Sequence, residues 1–347
     1  MIDPHSSRAA AIWSGVEAPS YFTSWGWIGT WLSCLPSDHA PRMMLARDGD
    51  RLGVGCLDVR RAFRRKLMPV RSLHLNVTGD PRFDELTLEY NGLAGHQPPL
   101  AALLDALPEP WDEFGLPGVR EDAFGGLHAL GGRYRIVEDR RSPVFFVDLA
   151  TVRAKGYLPL ISSGTRSQVR RAQKAVGTIT LEIARDAAEA IGVYDELRAL
   201  HTAQWRTRGH AGAFTDPWID RFHRRLIATR FETGEIQLIR VRANGATLGC
   251  LYNFVWRGRV LQYQTGFRTS TDARDKPGYV CHTAAIEHCA TSGLDVYDFL
   301  AGDHRYKDNL STGNGELVWV RIQRDRWRFR LEDRLVELVR SVRKQPR

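Results

Sequence analysis

Apolar and polar positions alternate over residues 178–183, where Ile179, Leu181 and Ile183 are separated by Thr180 and Glu182. A period of two predicts a strand with one face on a core. The period then lengthens. Asp186 is placed to cap a helix running to about residue 208, and Asp216-Pro217 opens a second helix that reaches about 231. Strand-like runs at 236–242 and 248–256 flank Asn244-Gly245, and a third covers 259–267. After a loop at 268–277, a helix is predicted over 278–292, with Gly293 as its stop. A strand at 294–300, a short segment at 303–310, a strand at 317–323 and a basic amphipathic helix at 331–343 complete the second half. Helices, a meander, then helix and strand again describe an α/β fold with a mixed sheet.

One pattern recurs. Asp48-Gly49-Asp50-Arg51-Leu52-Gly53 lies between strand-like runs at 43–47 and 53–59. Asn244-Gly245-Ala246-Thr247-Leu248-Gly249 does the same 196 residues later. Asp-Gly and Asn-Gly favour tight hairpins because their turns need positive φ. The repetition suggests two copies of one domain.

Composition changes this picture little. The 347 residues are ample for two cores, and 43% hydrophobic with 26% charged residues describe a globular chain. A net charge of +9 favours anionic partners. Only six of the cationic residues are Lys and the arginines are scattered, so nucleic acid is not favoured as a partner. The five cysteines form no CxxC pair and no metal-ligand spacing, and their odd number reads as reduced thiols of a cytoplasmic protein. No 18-residue apolar run predicts a membrane span, and residues 1–8 lack the order of a signal peptide. Residues 9–35 carry one charge, Glu17, and four of the ten tryptophans. That segment reads as a helix packed on the first domain, or as peripheral contact with an anionic membrane at its cytoplasmic face.

The richest chemistry lies in Tyr297-Asp298-Phe299-Leu300-Ala301-Gly302-Asp303-His304-Arg305-Tyr306-Lys307. An apolar strand carries an acid at its centre, crosses a glycine, and delivers His, Tyr and Lys in the following turn. Asp298 needs a partner if buried, and His201 and Lys307 are the candidates. His201 and Trp205 share a helical face, which makes His201 either a general base or a core histidine beside an aromatic ring. The Gly- and Arg-rich stretch 206–214, ending in Phe214, has the composition of a lid. Pro277-Gly278 opens a helix whose free amides suit phosphate, with Arg274 and Lys276 just before it. Lys307 reads as an anion contact or as a solvated lysine. Arg166, Arg170, Arg171 and Lys174 form a basic helical face that could meet phosphates or only water. In the first half, Asn76 and Glu89-Tyr90-Asn91-Gly92 are polar groups among apolar ones, and Asn91-Gly92 also suits a simple turn.

These pieces carry a resemblance. Tyr-Asp-Phe-Leu-x-Gly-Asp-x-x-Tyr-Lys at 297–307, Leu200-His201-x-x-x-Trp205, Gly212-Ala213-Phe214 and Lys276-Pro277-Gly278 resemble the CelD-like and FemAB-like branch of the GNAT acyltransferases. The similarity is good over 160–325 and weaker over 20–100. It implies two tandem GNAT-like domains, 1–155 and 156–347, each a mixed, mostly antiparallel sheet flanked by helices. It implies acyl transfer from acyl-CoA to an amine by direct attack, without a metal. Arg274, Lys276, Gly278 and Lys307 would hold the donor's phosphates, although the glycine-rich loop of typical members is missing. FemAB-type relatives use aminoacyl-tRNA instead. His201, alone or oriented by Asp298, would take the amine's proton, a backbone amide near 259–267 would meet the oxyanion, and Tyr306 would protonate the departing thiolate. Trp205, Phe214, Glu89 and Asn91 are the acceptor-side candidates. Bacterial ceramide synthases resemble the same branch, so a long-chain, sphingoid-type amine is the favoured acceptor. An exopolysaccharide or peptidoglycan amine follows, and a non-catalytic envelope-assembly scaffold is the remaining alternative.

Overall fold

A computed structural model describes residues 2–334 except positions 65–67, 85, 87, 128, 129, 131, 208, 211, 271, 273 and 333. Helices α1 (Ser7–Ser14) and α2 (Trp25–Cys34) precede β1 (Arg42–Asp48), β2 (Arg51–Arg64) and β3 (Met68–Leu75). Then come α3 (Pro81–Asp84), β4 (Ala94–Gly95), α4 (Leu100–Asp105), β5 (Glu113–Val119) and β6 (Tyr134–Asp148). The second half runs α5 (Leu149–Lys155), α6 (Ser163–Val176), β7 (Ile179–Ile183), α7 (Ala187–Arg206), α8 (Pro217–Arg230), β8 (Ile236–Ala243), β9 (Ala246–Trp256) and β10 (Arg259–Phe267). It ends with α9 (Pro277–Thr291), β11 (Val296–Ala301), α10 (Arg305–Leu310) and β12 (Gly313–Arg324). The expected caps are present: Asp186 accepts from Glu189 N–H and Asp216 from Trp218 N–H. The expected basic helix at 331–343 lies largely outside the described residues, although helical turns begin at 327.

All strands join one sheet in the order β1-β2-β3-β5-β12-β6-β11-β10-β9-β8-β7, with β4 on β2. Only β3·β5 and β10·β11 are parallel, and each pairs over three residues. The arrangement is a pseudo-twofold: the β1–β2 hairpin matches β8–β9, and the two parallel pairs match each other. The last strand of each half crosses over. β12 sits between β5 and β6, and β6 sits between β12 and β11. The halves therefore share a central pair instead of forming two separate sheets.

The two hairpins differ in detail. Asn244 (φ 51°) and Gly245 (φ 81°) are both left-handed between paired Ala243 and Ala246, as a type I′ turn requires. In the first hairpin Asp48 pairs with Arg51, so the turn is Gly49-Asp50 with the positive φ on Gly49. The turn is displaced by one residue from the Asp48-Gly49 placement.

The Trp-rich start belongs to the core. Trp13, Trp27 and Trp31 are buried, and the Trp27 ring meets Phe222, Phe254 and Tyr263 of the second half at 5.0, 5.5 and 6.0 Å. Trp218 Nε1–H donates to the Cys34 carbonyl at 2.7 Å. This segment packs on both halves: its buried rings share one core with Met43, Val54 and Cys56 of the first half as well as with the second, and the Gly95 N–H donates to the Glu17 carbonyl. On the opposite sheet face α5, α6 and α9 cover a second core, and α4 covers a third on the first half. Thr165, Val169, Ala172 and Val176 bury one side of α6, leaving Arg170, Arg171 and Lys174 in water. Among the described residues no helix is long and apolar enough to cross a membrane.

Candidate active site

The site grows from the place where β10 and β11 part. Arg259–Leu261 pairs with Val296–Asp298, after which β10 follows β9 alone and β11 follows β6. β11 carries a bulge between Asp298 and Ala301, and Leu300 lies at φ 60°, a costly conformation for a branched side chain. The Asp298 carboxylate holds that bulge by accepting Leu300 N–H at 2.8 Å. β10 has its own irregularity: the ladder with β9 skips Tyr263.

Alternation on β11 sends Tyr297 and Phe299 towards α9 and Asp298 the other way, as the sequence predicted. Its partners are different. Asp298 is fully buried and accepts from Tyr90 Oη–H at 2.7 Å and Arg259 Nη1–H at 2.8 Å. Neither His201 nor Lys307 hydrogen-bonds to it. The reason is position: His201 Nδ1–H donates to the Thr265 carbonyl, 3.0 Å away. Thr265 lies four residues beyond Leu261, or about 13 Å along the strand. The orienting pair of Asp298 and His201 is thereby replaced by an Asp298–Arg259–Tyr90 lock that joins the two halves.

Lys307 is not a solvated lysine. It is buried and donates to the Leu300 and Ala301 carbonyls at 3.1 and 2.7 Å. Beside it, Glu89 from the first half accepts Ala301 N–H at 2.6 Å and is 1% exposed. Burial raises the Glu89 carboxyl well above its usual range and lowers the Lys307 ammonium, and each field partly restores the other's charge. Burial thus biases both groups at the seam towards their neutral forms, Glu89 by tightening its hold on a proton and Lys307 by loosening it.

The α9 side is separate. Gly278 lies where a Cβ would come within 3.3 Å of the Phe267 ring, so glycine lets the helix start close to β10. Lys276, at the N-cap, reaches Gln168 Oε1 at 2.5 Å. Arg274 is exposed and held by Asp272. The ring of Tyr306 stacks on buried His282 (5.5 Å, 14°), and burial pushes its phenol up to about 12. His282 approaches Tyr297 Oη through Nδ1 at 3.3 Å, burial lowers it to about 3, and its Nε2 has no hydrogen-bond partner among the described residues. His201 is buried with Trp205 at 5.8 Å and Phe214 at 5.0 Å. Positions 208 and 211 of the expected lid lie outside the described residues.

Two cavities flank the seam. One of about 470 Å³ has Arg259, Tyr90, Arg120 and Trp256 in its wall. The other, of about 600 Å³, lies where β3 and β5 part; Val77, Leu86, Leu88 and Leu116 give it an apolar stretch beside Glu89 and Ala301, and Asp84, Asp139, Arg140 and Arg321 also line it. Asn91 lines the first cavity but its side chain is committed. It accepts from Asn76 Nδ2–H and donates to the Leu75 carbonyl, so it fastens the loop instead of making a turn with Gly92. Sequence reasoning placed Tyr90 only within the acceptor-side segment Glu89-Tyr90-Asn91-Gly92, not as a partner of Asp298, and missed Arg259 and His282. The signal for Tyr90 and Arg259 was a buried acid that no nearby residue could satisfy.

The family described as "Acetyltransferase (GNAT) domain" matches residues 163–308, the stretch that holds α6 to α10 and the parted strands. Residues 163–308 are thus similar to a GNAT domain. No curated protein matches it. Among solved structures, FemX aligns with a TM-score of 0.57 at 14% identity over 92% of this chain and 97% of FemX. A conserved protein of unknown function from Bacteroides thetaiotaomicron gives 0.56 at 12% identity over 94% and 98%. The C-terminal domain of a candidate lysylphosphatidylglycerol synthetase from Agrobacterium fabrum gives 0.53 at 12% over 92% and 90%. The matched stretch therefore sits in a fold shared with these structures, a large and mostly antiparallel sheet flanked by helices.

Proposed function

We propose that the protein is an N-acyltransferase that moves an acyl group from an activated donor, acyl-CoA in the first instance, to the amine of an amphiphilic acceptor. One observation carries this reading: Glu89 of the first half meets Ala301 and Lys307 of the second half beside the apolar stretch of the larger cavity. A carboxyl held weakly charged by burial is suited to take the proton of an ammonium group. The apolar wall suits a long-chain amine, and the Glu89 end suits its head. The sphingoid-type acceptor rests on this wall alone, since the buried tryptophans no longer argue for lipid.

The donor belongs on the other side, where β10 and β11 part. The amides of α9, with Lys276 beside them, suit a pyrophosphate. A backbone amide at the Tyr263 bulge is the candidate for the oxyanion, help typically worth about 3–4 kcal/mol. Tyr306, which keeps its proton at neutral pH, is suited to give it to a thiolate. His201 stays a candidate base through its place beside β10. A second reading, an amine of peptidoglycan or another envelope polymer, is favoured by the likeness to FemX.

Calorimetry with coenzyme A, followed by incubation with palmitoyl-CoA and sphinganine under mass spectrometry, tests both parts. Heat of binding and an amide product support the proposal. No coenzyme A binding removes the donor and leaves aminoacyl-tRNA or a scaffold role. Binding without amide formation on any long-chain amine removes the lipid acceptor.

A further inference from the structure

Among the described residues, the exposed large apolar side chains are Val59 (39%), Phe63 (67%), Trp327 (76%) and Leu331 (48%). They do not scatter. Val59 and Phe63 lie on the outer half of β2, and Trp327 and Leu331 sit one turn apart on the helical segment after β12. Two bonds bring these elements together. Arg328 donates to the carbonyl of Pro69, the residue opposite Phe63, and Arg64 pairs with Glu332 at 2.9 Å. Phe329 is buried beneath the segment, so its neighbours Trp327 and Leu331 are turned outward.

Charge singles out the same corner. Residues 59–64, 68–71 and 325–332 hold seven arginines against Asp325 and Glu332, and Asp80, Asp112 and Glu113 of adjoining elements pair with Arg60, Arg64, Arg326 and Arg328, which leaves arginine in excess at this corner. Arg61 is exposed beside Phe63. Exposed Trp and Leu ringed by arginine match a bilayer surface, where rings enter the headgroup region and cations meet acidic lipid.

We propose that this corner, the outer end of β2–β3 with the segment 327–332, docks the protein on an anionic lipid bilayer. It is independent of the reaction proposed above, because binding is read without turnover. The test is co-sedimentation with phosphatidylcholine vesicles, with and without phosphatidylglycerol, at low and high salt. Wild type should sediment with the anionic vesicles, less so as salt rises. The Phe63→Ser/Trp327→Ser double variant should partition at least about tenfold less, since two rings no longer insert. Arg61→Glu should lose mainly the salt-sensitive part. All four positions of the corner's apolar set are exposed, so thermal melts of the variants should match wild type. Wild type remaining in the supernatant at low salt would overturn the proposal. Double-variant partition equal to wild type would do so too, as would retention on heparin with no vesicle binding.

Discussion

Asp298→Ala should be among the most damaging substitutions in this chain, and its cost can be worked from its partners. The carboxylate is fully buried and receives Tyr90 Oη–H, Arg259 Nη1–H and Leu300 N–H at 2.7–2.8 Å. Removing it strands two donors out of water, the Tyr90 hydroxyl and the Leu300 amide, at about 1–3 kcal/mol each. Arg259 has a side chain 42% exposed and can rehydrate, so it adds little. The sum is about 2–6 kcal/mol, which spans the range for breaking a buried charged pair. Tyr90→Phe removes one donor of three and should cost about 1–2 kcal/mol. In the double variant most of that second cost should vanish, leaving a coupling of about 1–2 kcal/mol between the halves. Urea unfolding with an unchanged slope measures all three. An Asp298→Ala variant within about 1 kcal/mol of wild type would refute the idea that this carboxylate holds the bulge and the seam.

Glu89→Gln should change the pH dependence of stability. Burial raises the folded-state pKa of Glu89 above its unfolded value, so the native state keeps a proton that the unfolded chain releases. That contribution is present below the ordinary glutamate range and is lost as pH rises towards neutrality. Wild type should therefore lose stability relative to the Gln variant between acid and neutral pH, and parallel urea midpoints would refute the assignment. Gly266→Ala places a Cβ 2.3 Å from the Leu197 carbonyl oxygen, pushing α7 off β10 beside His201. It should cost about 1–3 kcal/mol in a thermal melt. Should an assay be established, His201→Ala should lower turnover by about 10²-fold if His201 is a base, and near-normal turnover would remove it from the mechanism.

The second half was legible because its patterns are local. Alternation at 179–183, caps at Asp186 and Asp216, and the Asn244-Gly245 turn each act within a few residues, and the structure follows them closely. The first half hides its strands. β2 turns from apolar residues to a run of arginines, β5 contains Pro117 and two glycines, and β6 passes through Glu138-Asp139-Arg140-Arg141 at its middle. Those residues are tolerated because β6 and β12 exchange ion pairs along their length, including Arg141 with Glu316 and Arg321 with Asp139. No local pattern reports such a pairing. The same limit explains the wrong partner for Asp298. Tyr90 lies 208 residues away, and its own backbone, at φ 51°, turns it to the seam.

The pseudo-twofold explains why one seam has two cavities. Each half contains a parallel pair that holds for three residues and then parts, leaving a gap that something must fill. In the second half α9 fills one side, bringing the helix start and Lys276 to the gap. In the first half α4 packs on β3 and β5, and the gap between them still opens into the larger of the two cavities, with Gly115 where β11 has Asp298. Glu89 lines it and touches Ala301, the last residue of β11. Under the proposed function the donor would take the gap beside β10 and β11 and the amine the gap beside β3 and β5, with Glu89, whose field reaches Lys307, standing where the first half touches β11.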